Sequence, residues 1–414
     1  KDIVGNPTYQ VKAIYNGSNI KKWLKFHIVS NTGTDIPATP TKIENGDTEN
    51  EYIFTFNTPL TTPYFNVFGD IGENISQQDE IFVPAFKAIA PDYDTWTTSA
   101  KLYITPDSAK YLDVIAENIR ITGLENYQLQ KTDNLTYKIT GLTHNTQYTA
   151  NVSLNGLNLS RCPFTTEEKL QLPNSDMETW SRQDGQTQYW WIEYPGSDNN
   201  AEWGTMNLLT TSEGGSSRNW ANRNGCAYSA ISGTIKTSDS HTKEKAALIR
   251  TVGWGGGNSA TATSGFGTCK NVTAGELYLG SYNSNTKSPE YNGIEFKSRP
   301  SSVEFWYKYK TVTANDDFAE IEIILYDANG SPITSSSYRK LDRTDNYTKI
   351  TVDIDYIDGA PKSSKIMVRF KSSGNPKALK ANSTYMTPPP ARNLSDGQYM
   401  GSQLYIDDIQ LNYD

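Results

Sequence analysis

The chain has 414 residues, a formal net charge of −8, and a composition that is 36% hydrophobic and 12% aromatic, with 26 Tyr, 9 Trp and 3 Cys. That length suits two or three domains of about 150 residues each, and an acidic balance without a Lys/Arg stripe argues against a nucleic-acid partner, which needs a basic footprint. Three cysteines exclude a dense disulfide framework, and no apolar run approaches the length of a membrane-spanning helix.

In chain order, segments 9–15, 23–29, 51–56 and 63–68 alternate apolar with polar residues and are punctuated by Asn16-Gly17, Asn31-Thr-Gly33 and Asn45-Gly-Asp47. This predicts an immunoglobulin-like β-sandwich over residues 1–80. A second sandwich is expected over 81–168. There 96–104 reads as a strand, and 137–148 resembles the fibronectin type III pattern of a strand followed by Leu-x-x-x-Thr-x-Tyr. In that pattern Tyr148 pins a corner between strands, a structural task. Segment 108–118 is open between helix and buried strand, because Tyr111, Leu112, Val114, Ile115 and Ile119 fit a helical stripe nearly as well. His27, His144 and His241 are scattered, which removes zinc and a histidine-based triad.

Residues 167–171 form a polar connector into a third domain, 172–414. Segments 247–252, 276–279, 302–309, 319–326, 348–353 and 365–370 read as strands, several alternating charged with apolar residues as half-buried antiparallel sheet requires. In the last strand, 401–411, Leu404 and Ile406 share one parity while Ile409 and Leu411 share the other. A continuous apolar face then needs one extra residue, a β-bulge at Asp407-Asp408. The bulge aims two carboxylates at nearly the same place, which is costly beside core hydrophobes unless a cation or several donors share the charge. Upstream, Asn174, Asp176 and Glu178 alternate with Ser175 and Met177. Because the ends of a domain commonly lie close together, Asn174, Asp176, Glu178, Asp407 and Asp408 are candidate oxygen donors to one structural calcium ion. An Asx-rich turn entering a strand, with a solvated acidic pair, stays open beside it.

Three ordered stretches carry a resemblance: L-P-N-S-D-M-E-T-W at 172–180, N-G-I-E-F-K-S-R-P-S-S-V-E-F-W-Y-K-Y at 292–309, and G-S-Q-L-Y-I-D-D-I at 401–409. Over 172–414 the chain resembles the Bacteroidetes carbohydrate metabolism domain family, found in cell-surface and lipoprotein-like chains. The resemblance implies a jelly-roll sandwich similar to carbohydrate-binding modules. It departs from the family after Ser372-Ser-Gly374, where a long Pro-rich excursion runs to Tyr399. The fold expectation is all-β, two immunoglobulin-like sandwiches and a C-terminal jelly roll. The chain begins at Lys1 without an apolar leader. The expected setting is the cell surface or periplasm of a Gram-negative bacterium, with an export signal and lipid anchor on a segment outside this chain.

Loops 181–217, 253–271 and 374–399 exceed ordinary connections, and such loops tend to carry function. They hold the densest aromatics. A sugar ring needs a flat apolar platform with polar groups around it, so Trp190, Trp191, Trp203, Trp220, Trp254 and Tyr385, with Arg218 and Arg223 as donors, form the predicted platform for an oligo- or polysaccharide. Aromatics also dominate cores, so about half of these are expected to be structural. A glycoside hydrolase needs facing carboxylates; Asp198, Glu202, Glu290 and Glu295 are available, and Glu304 alternates as an ordinary strand residue. A protein-binding adhesin is the third class. The Gly255-Gly-Gly257 run reads as a loop rather than a dinucleotide fingerprint, and Asp353 to Gly359 as a strand end rather than a calcium loop. Cys226 with Cys269 is one conceivable bridge; three buried small hydrophobes is the alternative.

Overall fold

Period-2 alternation shows in the burial of the paired segments. Ala319, Ile321, Ile323 and Leu325 are buried, whereas Glu320, Glu322 and Ile324 between them are partly exposed, so one side of that strand is covered and the other meets solvent. The computed structural model describes residues 8–14, 24–30, 35–57, 64–71, 74–82, 86–109, 112–154, 157–184, 191–197, 203–212, 232–254, 271–311, 317–335, 337–377 and 400–413. These are dominated by β-strand, with short α-helices at Leu112–Asn118 and Asn207–Thr210. The segment that fitted both periods is thus helical, and Ile115 is its core residue.

The chain divides into two compact units, Lys1–Glu167 and Glu168–Asp414. In the first, strands before Phe82 and strands after Phe86 share no sheet among the described residues. The earlier strands make a three-stranded and a four-stranded sheet, joined where the Phe26 ring lies 4.8 Å from Phe54 and 4.7 Å from Phe56. The later ones make a second such pair around Leu102, Ile139, Val152 and the free, buried Cys162. There the Thr143 amide donates to the Tyr148 hydroxyl at 2.8 Å and pins the turn before that strand. Cys226 and Cys269 lie outside the described residues.

The second unit begins with a hairpin of β1 (Trp180–Asp184) and β2 (Trp191–Pro195), then runs through β3 (Trp203–Thr205), β4 (Thr234–Thr237), β5 (Ala246–Trp254), β6 (Asn271–Thr273) and β7 (Glu276–Leu279). A second hairpin, β8 (Ser281–Asn283) and β9 (Ser288–Glu290), precedes β10 (Ile294–Glu295), β11 (Ser302–Lys310), β12 (Ala319–Tyr326), β13 (Ser337–Leu341), β14 (Thr344–Asp353), β15 (Lys365–Lys371) and β16 (Met400–Asn412). One antiparallel sheet has the order β3-β7-β15-β12-β13 with β10 on β15, and the other β4-β5-β16-β11-β14 with β6 on β5. From β10 onward the chain passes repeatedly between the two sheets, as in a jelly roll. Leu277, Phe370, Val368, Ile321 and Ile323 from the first sheet meet Ile249, Phe305, Tyr307, Leu404 and Ile406 from the second in one core. Each such aliphatic is worth roughly 1.5–3 kcal/mol over an exposed position.

The parity shift in the last strand is a bulge. Glu304 stands opposite Gln410 and Trp306 opposite Asp407, so two residues, Asp408 and Ile409, face Phe305 alone. Asp408 takes up the extra length with a φ of 48°. Leu404, Ile406, Ile409 and Leu411 consequently all reach the core.

Candidate functional site

The two ends of the second unit meet. Asn174 closes the opening turn: its side-chain oxygen accepts from the Thr179 amide at 2.8 Å and its side-chain nitrogen donates to the Thr179 carbonyl at 2.9 Å. Left-handed backbone at Asn174 and Met177 folds the turn so that Leu172 and Met177 both enter the core. The Ile409 amide beside the bulge donates to the Ser175 carbonyl at 2.8 Å. The Gln171 side chain pairs with both backbone groups of Leu411, each at 2.8 Å.

A strap, residues 238–245 between β4 and β5, lies among the acids. Asp407 accepts from the His241 amide at 2.8 Å and the Asp408 amide at 2.9 Å, while Asp408 meets His241 Nδ1 at 2.8 Å and the Thr242 hydroxyl at 2.7 Å. Asp176 holds Lys243 at 2.6 Å, and Glu178 accepts from the Glu244 and Lys245 amides at 3.0 and 2.8 Å. Burial pushes the Asp407 carboxyl up to about 6 against the pull of those amides, and the charge of Asp408 adds to the rise. The donor set of Asn174, Asp176, Glu178, Asp407 and Asp408, expected to bind calcium, is therefore engaged by the protein's own donors. Amides, an ammonium and an imidazole meet these oxygens, and among the described residues no three of His, Cys, Asp and Glu converge for a metal. Protein donors fasten the two ends.

The same strap covers the outer face of β16-β11-β14. The His241 ring lies flat on Trp306, centroids 3.8 Å apart and planes at 13°. Asp239 pairs with Lys308, its carbonyl accepts from the Tyr347 hydroxyl at 2.6 Å, and the Lys308 ammonium stands 4.2 Å from the Tyr405 ring centroid. His241 looked isolated in the sequence because its partners are more than sixty residues away. This aromatic surface is occupied by the protein's own chain.

Two members of the predicted aromatic platform are buried. Trp203 is 1% exposed in β3, its indole N–H donating to the Pro173 carbonyl at 2.9 Å. Trp254 is buried at the end of β5 and donates to the Thr273 hydroxyl at 2.8 Å. Both belong to the folded framework, as an indole does wherever its N–H finds a partner beneath a sheet edge. The backbone of Trp191 pairs with Asp184 in the opening hairpin; its side chain, and Trp190, Arg218, Trp220, Arg223 and Tyr385, lie outside the described residues. Among the described residues each candidate acid has its own partner. Glu290 accepts from Ser281 and Asn283 at 2.9 and 2.8 Å, Glu295 pairs with Lys297 at 2.7 Å, and Glu304 with Lys349 at 2.7 Å. Asp198 and Glu202 lie outside the described residues.

The outer face of the other sheet concentrates polar and aromatic groups. Register sets Tyr278 opposite Arg369, Arg369 opposite Glu322 and Glu322 opposite Tyr338. Two residues along, Glu276 stands opposite Lys371, Lys371 opposite Glu320 and Glu320 opposite Lys340. Arg369 pairs with Glu322 at 2.8 Å, Lys371 with Glu320 at 3.5 Å, and the Tyr338 hydroxyl donates to Glu320 at 2.9 Å. Tyr291 leans over these rows. Its hydroxyl donates to Glu276 at 2.5 Å, and its ring lies 4.8 Å from the Arg369 guanidinium and 5.1 Å, edge on, from Tyr278. Gly204 on β3 makes room, since a Cβ there would come within 2.5 Å of the Tyr278 ring. Glu276 and Tyr278 are buried, Arg369, Glu322 and Lys371 are partly exposed, and Tyr338 is 43% exposed, so the rows run from a closed end to an open one. Burial holds the Glu276 carboxyl above its ordinary value, with the Tyr291 hydroxyl and the two cations pulling it back and Glu320 pushing it further.

No protein-family model matches the chain, and no curated protein matches it. Among solved structures, the enzymatically active domain of tailspike protein 4 of bacteriophage CBA120 aligns at 10% identity and TM-score 0.24, over 44% of this chain and 18% of that one. The CBM22-1 xylan-binding domain of Paenibacillus barcinonensis Xyn10C aligns at 9% identity and TM-score 0.23, over 44% of this chain and 80% of that one. A carbohydrate-binding module of the beta-sandwich super family aligns at 9% identity and TM-score 0.24, over 80% of this chain and 98% of that one. The chain spans about a fifth of the tailspike's length, and the fold and face described above rest on this chain's own geometry.

Proposed function

We propose that the chain is a glycan-binding protein and that it holds sugar on the outer face of β7-β15-β12-β13. One observation carries this: the two cross-strand rows Tyr278–Arg369–Glu322–Tyr338 and Glu276–Lys371–Glu320–Lys340, roofed at one end by Tyr291. A sugar presents a rim of hydroxyls, each both donor and acceptor, around an apolar C–H face. Rows that set carboxylate beside guanidinium or ammonium, one of them ending in tyrosine on both sides, supply both partners and a ring surface. The resemblance of 172–180, 292–309 and 401–409 to a carbohydrate metabolism domain agrees with this reading, and export to a bacterial surface is proposed with it.

A hydrolase is the second reading, favoured by Glu276, a buried carboxyl held above its ordinary value near Glu320. Its weakness is that Lys371 stands between the two acids in the register. Both readings meet one experiment, a glycan array run with the intact chain beside reducing-sugar release. The expected result is retention of a glycan without product. Tyr338→Ala should weaken binding about tenfold or more with little change in melting, because it stands at the open end of the rows, 43% exposed. Sugar release above background would replace the proposal with the hydrolase, and retention unaffected by Tyr338→Ala would remove the site from this face.

A further inference from the structure

We infer that the ligand of this face is an uncharged polysaccharide segment, neither a uronate or sulfated chain nor a polycationic amino sugar. The inference rests on the glycan-binding reading and concerns charge. On the described strands of the sheet, Glu276, Glu320, Glu322 and Glu295 point to the outer face with Lys371, Lys340, Arg369 and Lys365, and the register sets each acid beside a cation, Glu295 opposite Lys365 among them. The cation best suited to an acidic sugar is already committed: the Arg369 guanidinium is bound to Glu322 at 2.8 Å and stands over the Tyr291 ring. Lys371 is held by Glu320, and Lys340 lies over the Phe318 ring at 4.0 Å.

A uronate entering these rows would have to take Arg369 or Lys371 from its partner and leave a half-buried carboxylate uncompensated beside the incoming one. An ammonium sugar would strand a guanidinium in the same way. A hydroxyl needs no such exchange. It accepts from a guanidinium N–H not aimed at Glu322 and donates to a spare carboxylate lone pair while both ion pairs stay closed. The rows therefore favour ligands that add hydrogen bonds and no net charge.

The test uses the intact chain in affinity electrophoresis and calorimetry against a neutral β-glucan, mannan and xylan, polygalacturonate and chitosan. The expected result is binding to at least one neutral polymer at least tenfold tighter than to either charged one, and nearly unchanged between low and high salt. Glu322→Gln, which keeps shape and frees Arg369, should raise polygalacturonate affinity severalfold without a matching gain for the neutral polymer. Polygalacturonate or chitosan bound as tightly as the best neutral polymer, and lost with Tyr338→Ala, would overturn the inference while leaving the glycan face in place. Absence of binding to every polymer, or binding that Tyr338→Ala does not touch, would overturn the glycan face and the inference with it. Melting curves of both variants confirm that each is folded.

Discussion

Glu276 shows how one residue couples the site to stability. Its carboxyl is buried at the closed end of the rows, and the main reason its proton is held is lost hydration, with the Tyr291 hydroxyl and the Arg369 and Lys371 charges acting against it. A folded-state value raised above the ordinary 4.5 means that the native chain binds more proton than the unfolded one. The stability from that proton is full below about pH 4.5 and is lost as pH rises through the raised value. Glu276→Gln stays neutral and keeps an oxygen for Tyr291. The melting temperature of the variant minus that of the parent should therefore climb as pH rises above 4.5 and through the raised value. A difference that falls with pH would mean that the cations favour the carboxylate more than burial opposes it.

At the scale of elements, the bulge in β16 and the strap hold the domain closed. Removing the Asp407 carboxylate would orphan the amides of His241 and Asp408, and each buried, unpaired donor costs on the order of 1–3 kcal/mol. Asp407→Ala should accordingly destabilise the second unit by about 3 kcal/mol. Melting of the parent should be the same in excess calcium and in chelator, since amides and Lys243 do the fastening. A calcium-dependent rise in melting temperature would add an ion to that fastening.

The bulge was legible because Leu404 and Ile406 differ in parity from Ile409 and Leu411, which forces an extra residue whatever the partner strands are. The meeting of 172–180 with 407–408 was legible for a weaker reason, the nearness of a domain's ends. The partner of the acids was not, because the strap reaches them from the middle of the sequence. Trp203 was misread for the opposite reason. It lies in a segment that looks like an overlong loop, yet three residues of it pair with β7 and bury the indole. The rows could not be read at all: Tyr278, Arg369, Glu322 and Tyr338 become neighbours only when β7, β15, β12 and β13 take their order and register.

At the scale of the whole molecule, chemistry and spacing separate along the chain. The unit Glu168–Asp414 has its own core, its own fastened ends and both polar rows. In Lys1–Glu167, the described residues of 86–165 place Leu102, Ile139, Val152 and Leu154 inside, use Tyr148 as a corner pin, and pair Tyr103 with Asp94. Those are structural tasks. The first unit is accordingly expected to leave the intrinsic affinity of the proposed binding face unchanged. The shortened chain, residues 168–414, should melt cooperatively because its core is independent. It should bind the same glycan as the full chain with a dissociation constant within threefold, read by calorimetry on both. A loss beyond tenfold, about 1.4 kcal/mol, with the shortened chain still folded, would place part of the ligand contact in the first unit.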